Sequence, residues 1–213
     1  MEEFKWSSNL AYAVGLLTTD GNLSKDGRHL DLTSKDIEQL ENFKKCIGLK
    51  IKISWKTSGY SGKKYPRIQF GNVKLYRWLL KIGLMPNKTK IINQIKVPDK
   101  YFFDFLRGHF DGDGCMYSYW DPRWKSSFML YLQFLSASLN HIRWINDKVQ
   151  ALTNYKGRIN KSSSVYQLRY AKNASKEIIK QMYHKGDIIF LTRKRNKIIR
   201  ALKIEKEGLA GVA

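Results

Sequence analysis

The chain has 213 residues, with 39 Lys plus Arg against 18 Asp plus Glu, for a formal charge of +21 when histidines are neutral. An apolar content of 43% can bury a core in one large or two small domains, which excludes disorder for most of the chain. The surplus charge excludes an ordinary cytosolic enzyme surface and leaves nucleic acid, an anionic membrane face or a polyanionic substrate as partners.

The opening MEEFKW lacks the basic-then-apolar order of a signal peptide. The longest apolar run, Leu10 to Leu17, falls short of the roughly 20 residues that span a bilayer. An intracellular, unsecreted protein is expected. Two cysteines, Cys46 and Cys115, exclude a disulfide framework, and His29, His109, His141 and His184 are too scattered for a zinc site, so structural or surface roles are expected for them. Basic residues run from Lys5 to Lys206 and are dense only after Arg193, so a membrane-bound terminal helix would leave the others unexplained.

Taken along the chain, the first element is LAYAVGLLTTDG, Leu10 to Gly21, an apolar helical stretch closed by Asp20-Gly21. The alternating segment HLDLTS follows from His29 as a half-buried strand. Behind an N-cap at Asp36, the spacing of Ile37, Leu40, Phe43 and Ile47 predicts a helix. Lys50 to Lys56 and Arg67 to Gly71 alternate again as strands, with Ile51, Ile53 and Trp55 on one face. Helices over Val73–Ile82 and from Asn87 onward close the segment, and Pro86, Pro98 and the stretch Val97 to Lys100 mark a boundary.

The same order then repeats. YFFDFLRGHFDGDG, Tyr101 to Gly114, matches the first helix, and MLYLQFLS from Met129 the strand. Leu139, Ile142, Ile145 and Val149 behind Ser138 match the second helix, Lys156–Lys161 and Val165–Tyr170 the two strands, and Ala174–Tyr183 with the stretch from Thr192 the closing pair. The expected fold class is α+β, built from two pseudo-symmetric αββαββα halves, residues 1–97 and 98–207, each a twisted antiparallel sheet backed by helices, with residues 208–213 as a flexible tail. A single α+β domain with accidental likeness between its halves is the alternative.

The segments AVGLLTTDG, Ala13 to Gly21, and LRGHFDGDG, Leu106 to Gly114, resemble the motif of the LAGLIDADG homing endonuclease family in its single-chain, two-copy form, and the resemblance covers nearly the whole chain apart from the tail. It implies that the two motif helices pack together at a pseudo-twofold axis, with Gly15 and Gly108 allowing close approach, and that Asp20 and Asp113 bind divalent metal at the catalytic centre. It also implies catalytic roles for Lys88, Lys194 and Lys35; Ala137 stands at Lys35's place in the second half. The motif's earlier acidic position is Thr18 in one copy and Asp111 in the other, and its alanine position holds Val14 and Arg107. The implied function is a monomeric, site-specific endonuclease that cuts both strands of a long asymmetric or pseudo-palindromic DNA site with Mg²⁺, leaves short 3′ overhangs and serves intron homing. An RNA-splicing maturase bound to its host intron RNA, or a non-cleaving DNA-binding regulator, is the competing reading.

Chemistry points the same way independently of the family. Asp20 and Asp113 sit at helix C-termini, where the macrodipole is negative and a following glycine is expected to supply a left-handed cap. Two such ends brought together need cations. Carboxylate oxygens favour Mg²⁺, with Mn²⁺ or Ca²⁺ substituting for binding, and the lysines would offset developing charge or hold waters in line. The polar strand faces are expected to lie in a major groove. Their candidates are Asn22, Ser24, Arg28, Asp31, Lys50, Lys52, Ser54, Lys56, Arg67 and Gln69 in the first half, with Tyr117, Tyr131, Gln133, Arg158, Asn160, Gln167 and Arg169 in the second. Stacking on single strands is the aromatic alternative, but Trp6, Trp55, Trp78 and Trp144 fall on apolar faces and are expected in the core, which leaves Trp120 and Trp124 ambiguous. An intein is unlike this chain, which lacks the terminal residues protein splicing uses.

Overall fold

A computed structural model of the chain describes residues 4–59, 61–124 and 126–210. Helix α1 (Ser8–Thr19) starts at Ser7, whose side chain accepts from the Leu10 amide, and every residue from Leu10 to Thr18 is buried. A helix apolar all round has to be enclosed by protein on every side. After it come β1 (Gly21–Leu23), β2 (His29–Thr33), α2 (Ile37–Ile47), β3 (Ser54–Thr57), β4 (Lys64–Gly71) and α3 (Val73–Ile82). The second half repeats these seven as α4 (Phe102–Asp113), β5 (Cys115–Trp120), β6 (Phe128–Ser136), α5 (Leu139–Thr153), β7 (Arg158–Ser162), β8 (Val165–Tyr170) and α6 (Lys172–Met182), and adds α7 (Thr192–Ala210).

Each half holds a four-stranded antiparallel sheet, ordered β1-β2-β4-β3 and β5-β6-β8-β7. The registers match: Asn22 faces Asp31 as Cys115 faces Gln133, and Asp31 faces Gln69 as Gln133 faces Arg169. Alternation puts Leu30, Leu32 and Ile68, and likewise Leu130, Leu132, Phe134 and Leu168, on the helix-covered side, all fully buried. The two-half α+β class is therefore the observed one.

The halves join through α1 and α4, and the expected close approach at Gly15 and Gly108 is present. A Cβ on Gly15 would lie 2.7 Å from the His109 amide nitrogen, and one on Gly108 would lie 2.9 Å from the Tyr12 carbonyl carbon. Only hydrogen fits at either position. Arg107, in the alanine position of the second motif, is fully buried. Its guanidinium donates to the Ile189 carbonyl at 2.8 Å, to Met182 O at 2.5 Å and to Asp104 at 2.8 Å, tying α4 to the segment between α6 and α7. Asp111, also fully buried, accepts from the Tyr12 hydroxyl at 2.8 Å and the Leu191 amide at 2.7 Å. The departure at Arg107 and the acid retained at Asp111 thus lock the second half's helix in place.

Several expectations are corrected. The strand expected over Lys50–Lys56 begins only at Ser54, because Ile51 and Ile53 pack against the core from a loop and alternate without a ladder partner. Trp55 is 60% exposed on edge strand β3 rather than buried. The helix expected from Asn87 is a single 3-10 turn, Lys88–Lys90, entered through Asn87 at φ 54°; beyond it Ile92, Ile95 and Val97 anchor a loop with no helical repeat. Asp36 holds the N-cap position of α2 without capping it, since its carboxylate accepts from Arg193 instead, from Nε at 3.0 Å and Nη2 at 2.6 Å. Helix α7 continues through Gly208 to Ala210, into the stretch read as a tail, and residues 211–213 lie outside the described residues. Among the described residues no helix is long and apolar enough to cross a membrane.

Candidate active site

Because α1 and α4 pack side by side, their C-terminal ends emerge together and bring Asp20 and Asp113 into one place. A Cβ on Gly112 would meet Asp20 Oδ2 at 3.0 Å, so Asp20 lies against the backbone that carries Asp113. The predicted left-handed caps are absent: Gly21 opens β1, and Gly114 is extended at φ −79° and ψ 156°. These glycines are needed for space instead, since a Cβ would come within 2.6 Å of Leu17 Cα in one copy and of Phe110 Cα in the other.

Lysines take over the work of the missing caps. Lys88 Nζ donates to the Thr19 carbonyl at 3.4 Å and to the Gly21 carbonyl, the two residues flanking Asp20. Lys194 Nζ donates to Gly112 O at 3.0 Å and Gly114 O at 2.8 Å, flanking Asp113, and to Phe110 O as well. Both lysines are buried, at 7% and 9% exposure. An ammonium has three donors, so Lys194 has spent all of them on carbonyls around the end of α4, one of which, Phe110 O, also accepts the Gly114 amide, while Lys88 keeps one. These two sequence candidates therefore sit beside the acids, but hold the backbone rather than reaching outward.

The acids are electrostatically tuned. Burial raises Asp20 to about 6, against a lowering hydrogen bond from Gln39 and with a further rise from the charge of Asp113. Asp113 reaches solvent on one flank, yet the surrounding protein raises it too, against Lys194 and Lys88. Burial conversely lowers Lys194 to about 8. Replacement of Lys194 by methionine removes the ammonium donor from the Gly112 and Gly114 carbonyls, while Phe110 O keeps the Gly114 amide at 2.9 Å, and we expect a loss of about 1–3 kcal/mol in urea unfolding. An unchanged unfolding midpoint would contradict this.

Gln39 is the residue that sequence reading missed. It is 2% exposed, and its Nε2 donates to Asp20 Oδ2 at 2.6 Å. Its counterpart in the second half is His141, which is bonded to the Asn93 carbonyl at 2.6 Å and stacked on His109 with ring centroids 5.4 Å apart. Among the described residues Asp113 has no equivalent partner, so the two acids are held unequally. Lys35 is exposed and does reach the site: with Tyr65, Gln39 and Arg193 it lines an open cavity of about 290 Å³ beside Asp20. Among the described residues no cluster of three or more His, Cys, Asp and Glu forms a closed metal cage. Two converging carboxylates fit instead a hard cation that completes its shell with water and phosphate.

The recognition candidates mostly fall on the uncovered sheet faces. In the first half Asn22, Asp31, Ser54, Lys56, Arg67 and Gln69 share the face opposite Leu30 and Leu32; Asn22 Nδ2 donates to Asp31 at 3.0 Å, and Ser24 and Arg28 lie in the adjoining turn. In the second half Tyr117, Tyr131, Gln133, Arg158, Asn160, Gln167 and Arg169 share the corresponding face. Lys50 and Lys52 do not. They precede β3 and border a groove with Lys44 and Lys45 at the end of α2. Trp120, 38% exposed, and Trp124, 69% exposed, stand at and just beyond the end of β5.

Two mirrored α+β halves, joined at glycine-bearing helices whose terminal acids meet between two antiparallel sheets, constitute the LAGLIDADG fold. Solved structures agree: the chain is similar to the LAGLIDADG homing endonuclease I-LtrWI bound to target DNA, with TM-score 0.60, 17% identity, and coverage of 96% of this chain and 95% of that one. It is equally similar to the meganuclease I-SmaMI bound to uncleaveable DNA, with TM-score 0.60, 16% identity and 97% of both chains. The N-terminal LAGLIDADG domain of DUF199/WhiA follows at TM-score 0.55, 16% identity and 85% of both chains. No family model matches the chain, and no curated protein does. The likeness read from two nine-residue motifs thus extends over the whole fold.

Proposed function

We propose that this protein is a site-specific, Mg²⁺-dependent endonuclease of the homing type that cuts both strands of a long double-stranded DNA site and leaves short 3′ overhangs. The observation that carries the reading is the convergence of Asp20 and Asp113, each on a lysine-held helix end from which its own polar sheet departs. The endonuclease neighbours share the architecture in which that arrangement sits. A net charge of +21 suits a polyphosphate partner. Both acids come from one chain, so the protein acts as a monomer, inside the cell.

Asp20 and Asp113 would hold the Mg²⁺, which when bound supplies an activated water and neutralises the leaving 3′ oxygen. Gln39 fixes the carboxylate of Asp20. Lys88 and Lys194 hold the backbone on either side of the acids and offset their mutual repulsion. Lys35, on the rim of the cavity, faces the place where a phosphate would lie and stabilises its developing charge. The sheet faces contribute register and base recognition through side chains in the groove.

Incubation with a randomised duplex library and Mg²⁺, followed by sequencing of the ends, should yield one cut consensus with 3′ overhangs, abolished by EDTA. Binding in Ca²⁺ should fall with salt at a slope near −9 if about ten phosphates are contacted. The alternative is a non-cleaving DNA-binding regulator or an RNA-splicing maturase on the same fold, and the similarity to the WhiA domain favours keeping it. Duplex binding without cutting would establish the regulator; tight binding of intron RNA without cutting, the maturase.

A further inference from the structure

The two sheet faces differ in chemistry at equivalent positions. On the second, Tyr117 and Tyr131 face each other across β5 and β6 with ring centroids 5.1 Å apart and planes at 27°, and Tyr119 stacks against Tyr131 at 6.3 Å. Arg169, on neighbouring β8, lies with its guanidinium 5.2 Å from the Tyr131 centroid and donates from Nη1 to the Tyr117 hydroxyl at 3.2 Å. Beneath the cluster Leu130, Leu132 and Leu168 are fully buried, so its strands are rigidly seated. By register, the first sheet has Ser24, His29 and Gln69 at the positions of Tyr117, Tyr131 and Arg169. His29 there is occupied by Asp26 at 2.5 Å. The first sheet therefore has no clamped arginine at this position.

Two consequences follow from the packing. Tyr117 and Tyr131 lie against each other and Arg169 packs on Tyr131, so the faces of this pair are largely taken and their edges and hydroxyls are what the sheet presents, while Tyr119 beside them is 44% exposed. That geometry does not suit base stacking on a single strand, which needs open ring faces. It does suit a duplex groove, where donors and acceptors at side-chain tips meet base edges. Arg169 in turn is fixed by a cation–π contact and one hydrogen bond, which leaves the rest of its planar fork to donate and reduces the conformational entropy lost on binding. Bidentate donation to guanine O6 and N7 is the pairing that such a fork matches best.

We propose that Arg169, clamped by Tyr117 and Tyr131, reads a guanine in the half-site under the second half of the protein, and that this half-site is the more tightly specified of the two. The inference rests on the duplex-binding reading above but not on cleavage. Its test is selection by binding, in Ca²⁺, from a randomised duplex library. The wild type should return one nearly invariant guanine in that half-site, and Arg169→Ala should lower preference for it by at least about tenfold with other positions unchanged. Tyr117→Phe, which removes the hydroxyl and keeps the ring, should relax the same position to a smaller degree; Gln69→Ala should have a weaker effect in the opposite half-site. An Arg169→Ala profile identical to wild type, or weakened equally at every position as for a phosphate contact, would overturn the proposal. So would tighter binding to a single strand of the selected sequence than to its duplex. Failure to enrich any duplex would sink the DNA-binding reading itself, an outcome distinct from enrichment that ignores Arg169.

Discussion

Asparagine in place of Asp20 should abolish double-strand cleavage and at the same time make the metal-free protein more stable. The carboxylate is raised from 3.8 to about 6, with burial the largest cause. A raised acid holds its proton better folded than unfolded, so its contribution to stability falls as pH rises from about 4 to about 6, and the cost is fully present at pH 7. Neutral asparagine escapes that cost while still accepting from Gln39. We expect a gain of about 1–3 kcal/mol at pH 7, disappearing below about pH 4, in parallel urea titrations of wild type and variant. Mg²⁺ should raise the wild-type Tm and lose much of that effect in the variant, while double-strand cleavage drops out of detection, since losing a group that stabilises transition-state charge costs roughly 10³-fold or more. A variant that still cuts both strands, or one less stable than wild type at pH 7, would contradict the assignment of Asp20.

Valine at Gly108 should be among the most damaging single changes in the chain. The first added carbon already overlaps the Tyr12 backbone, with its carbonyl carbon at 2.9 Å, and a helix backbone cannot swing aside as a side chain can. Overpacking of this kind costs at least about 3 kcal/mol, or about 10 °C in Tm for a chain of this size. Because α1 and α4 carry the two acids, any relief by separating the helices also separates Asp20 from Asp113. Alanine at the same position should lie between, with cleavage impaired more than duplex binding. A valine variant with unchanged melting would mean that the helices are not in contact at this point.

Much of this arrangement was readable in the residues, and the reason is repetition. The motif helices α1 and α4, the β2 and β6 alternations and the apolar spacing of α2 and α5 repeat in the same order, so each of these elements had a second copy to check it; the closing element did not, since α7 is a long helix and the stretch after Asn87 a single 3-10 turn. Lys88 and Lys194 were legible only through the family resemblance, at matching places after the penultimate helix of each half, and not in their task, because sequence gives position and not where three donors point. Gln39 looked like an ordinary polar residue on an amphipathic helix, and its partner His141 differs in type, so repetition could not single it out. Arg107 read as a departure from a pattern; only the fold brings the carbonyls of Met182 and Ile189 to its guanidinium. Lys50 and Lys52 misled in the other direction, since alternation alone does not distinguish a paired strand from a loop pinned by Ile51 and Ile53.

Enclosure of α1 on every side has a further meaning for how such a molecule came to be and how it can change. Leu10 to Thr18 are buried partly by their own half and partly by α4, so the seam between the repeats serves as interior for both. Severing the chain after Val97 would yield fragments each lacking a wall, not two miniature proteins. The duplicated segments have been free to diverge on their outer faces, where one now bears serine and histidine and the other tyrosines, but along the seam every substitution on one side is a demand on the other. Arg107 and Asp111 show symmetry broken there at one end only, with the second copy as the fixed frame against which the first is seated.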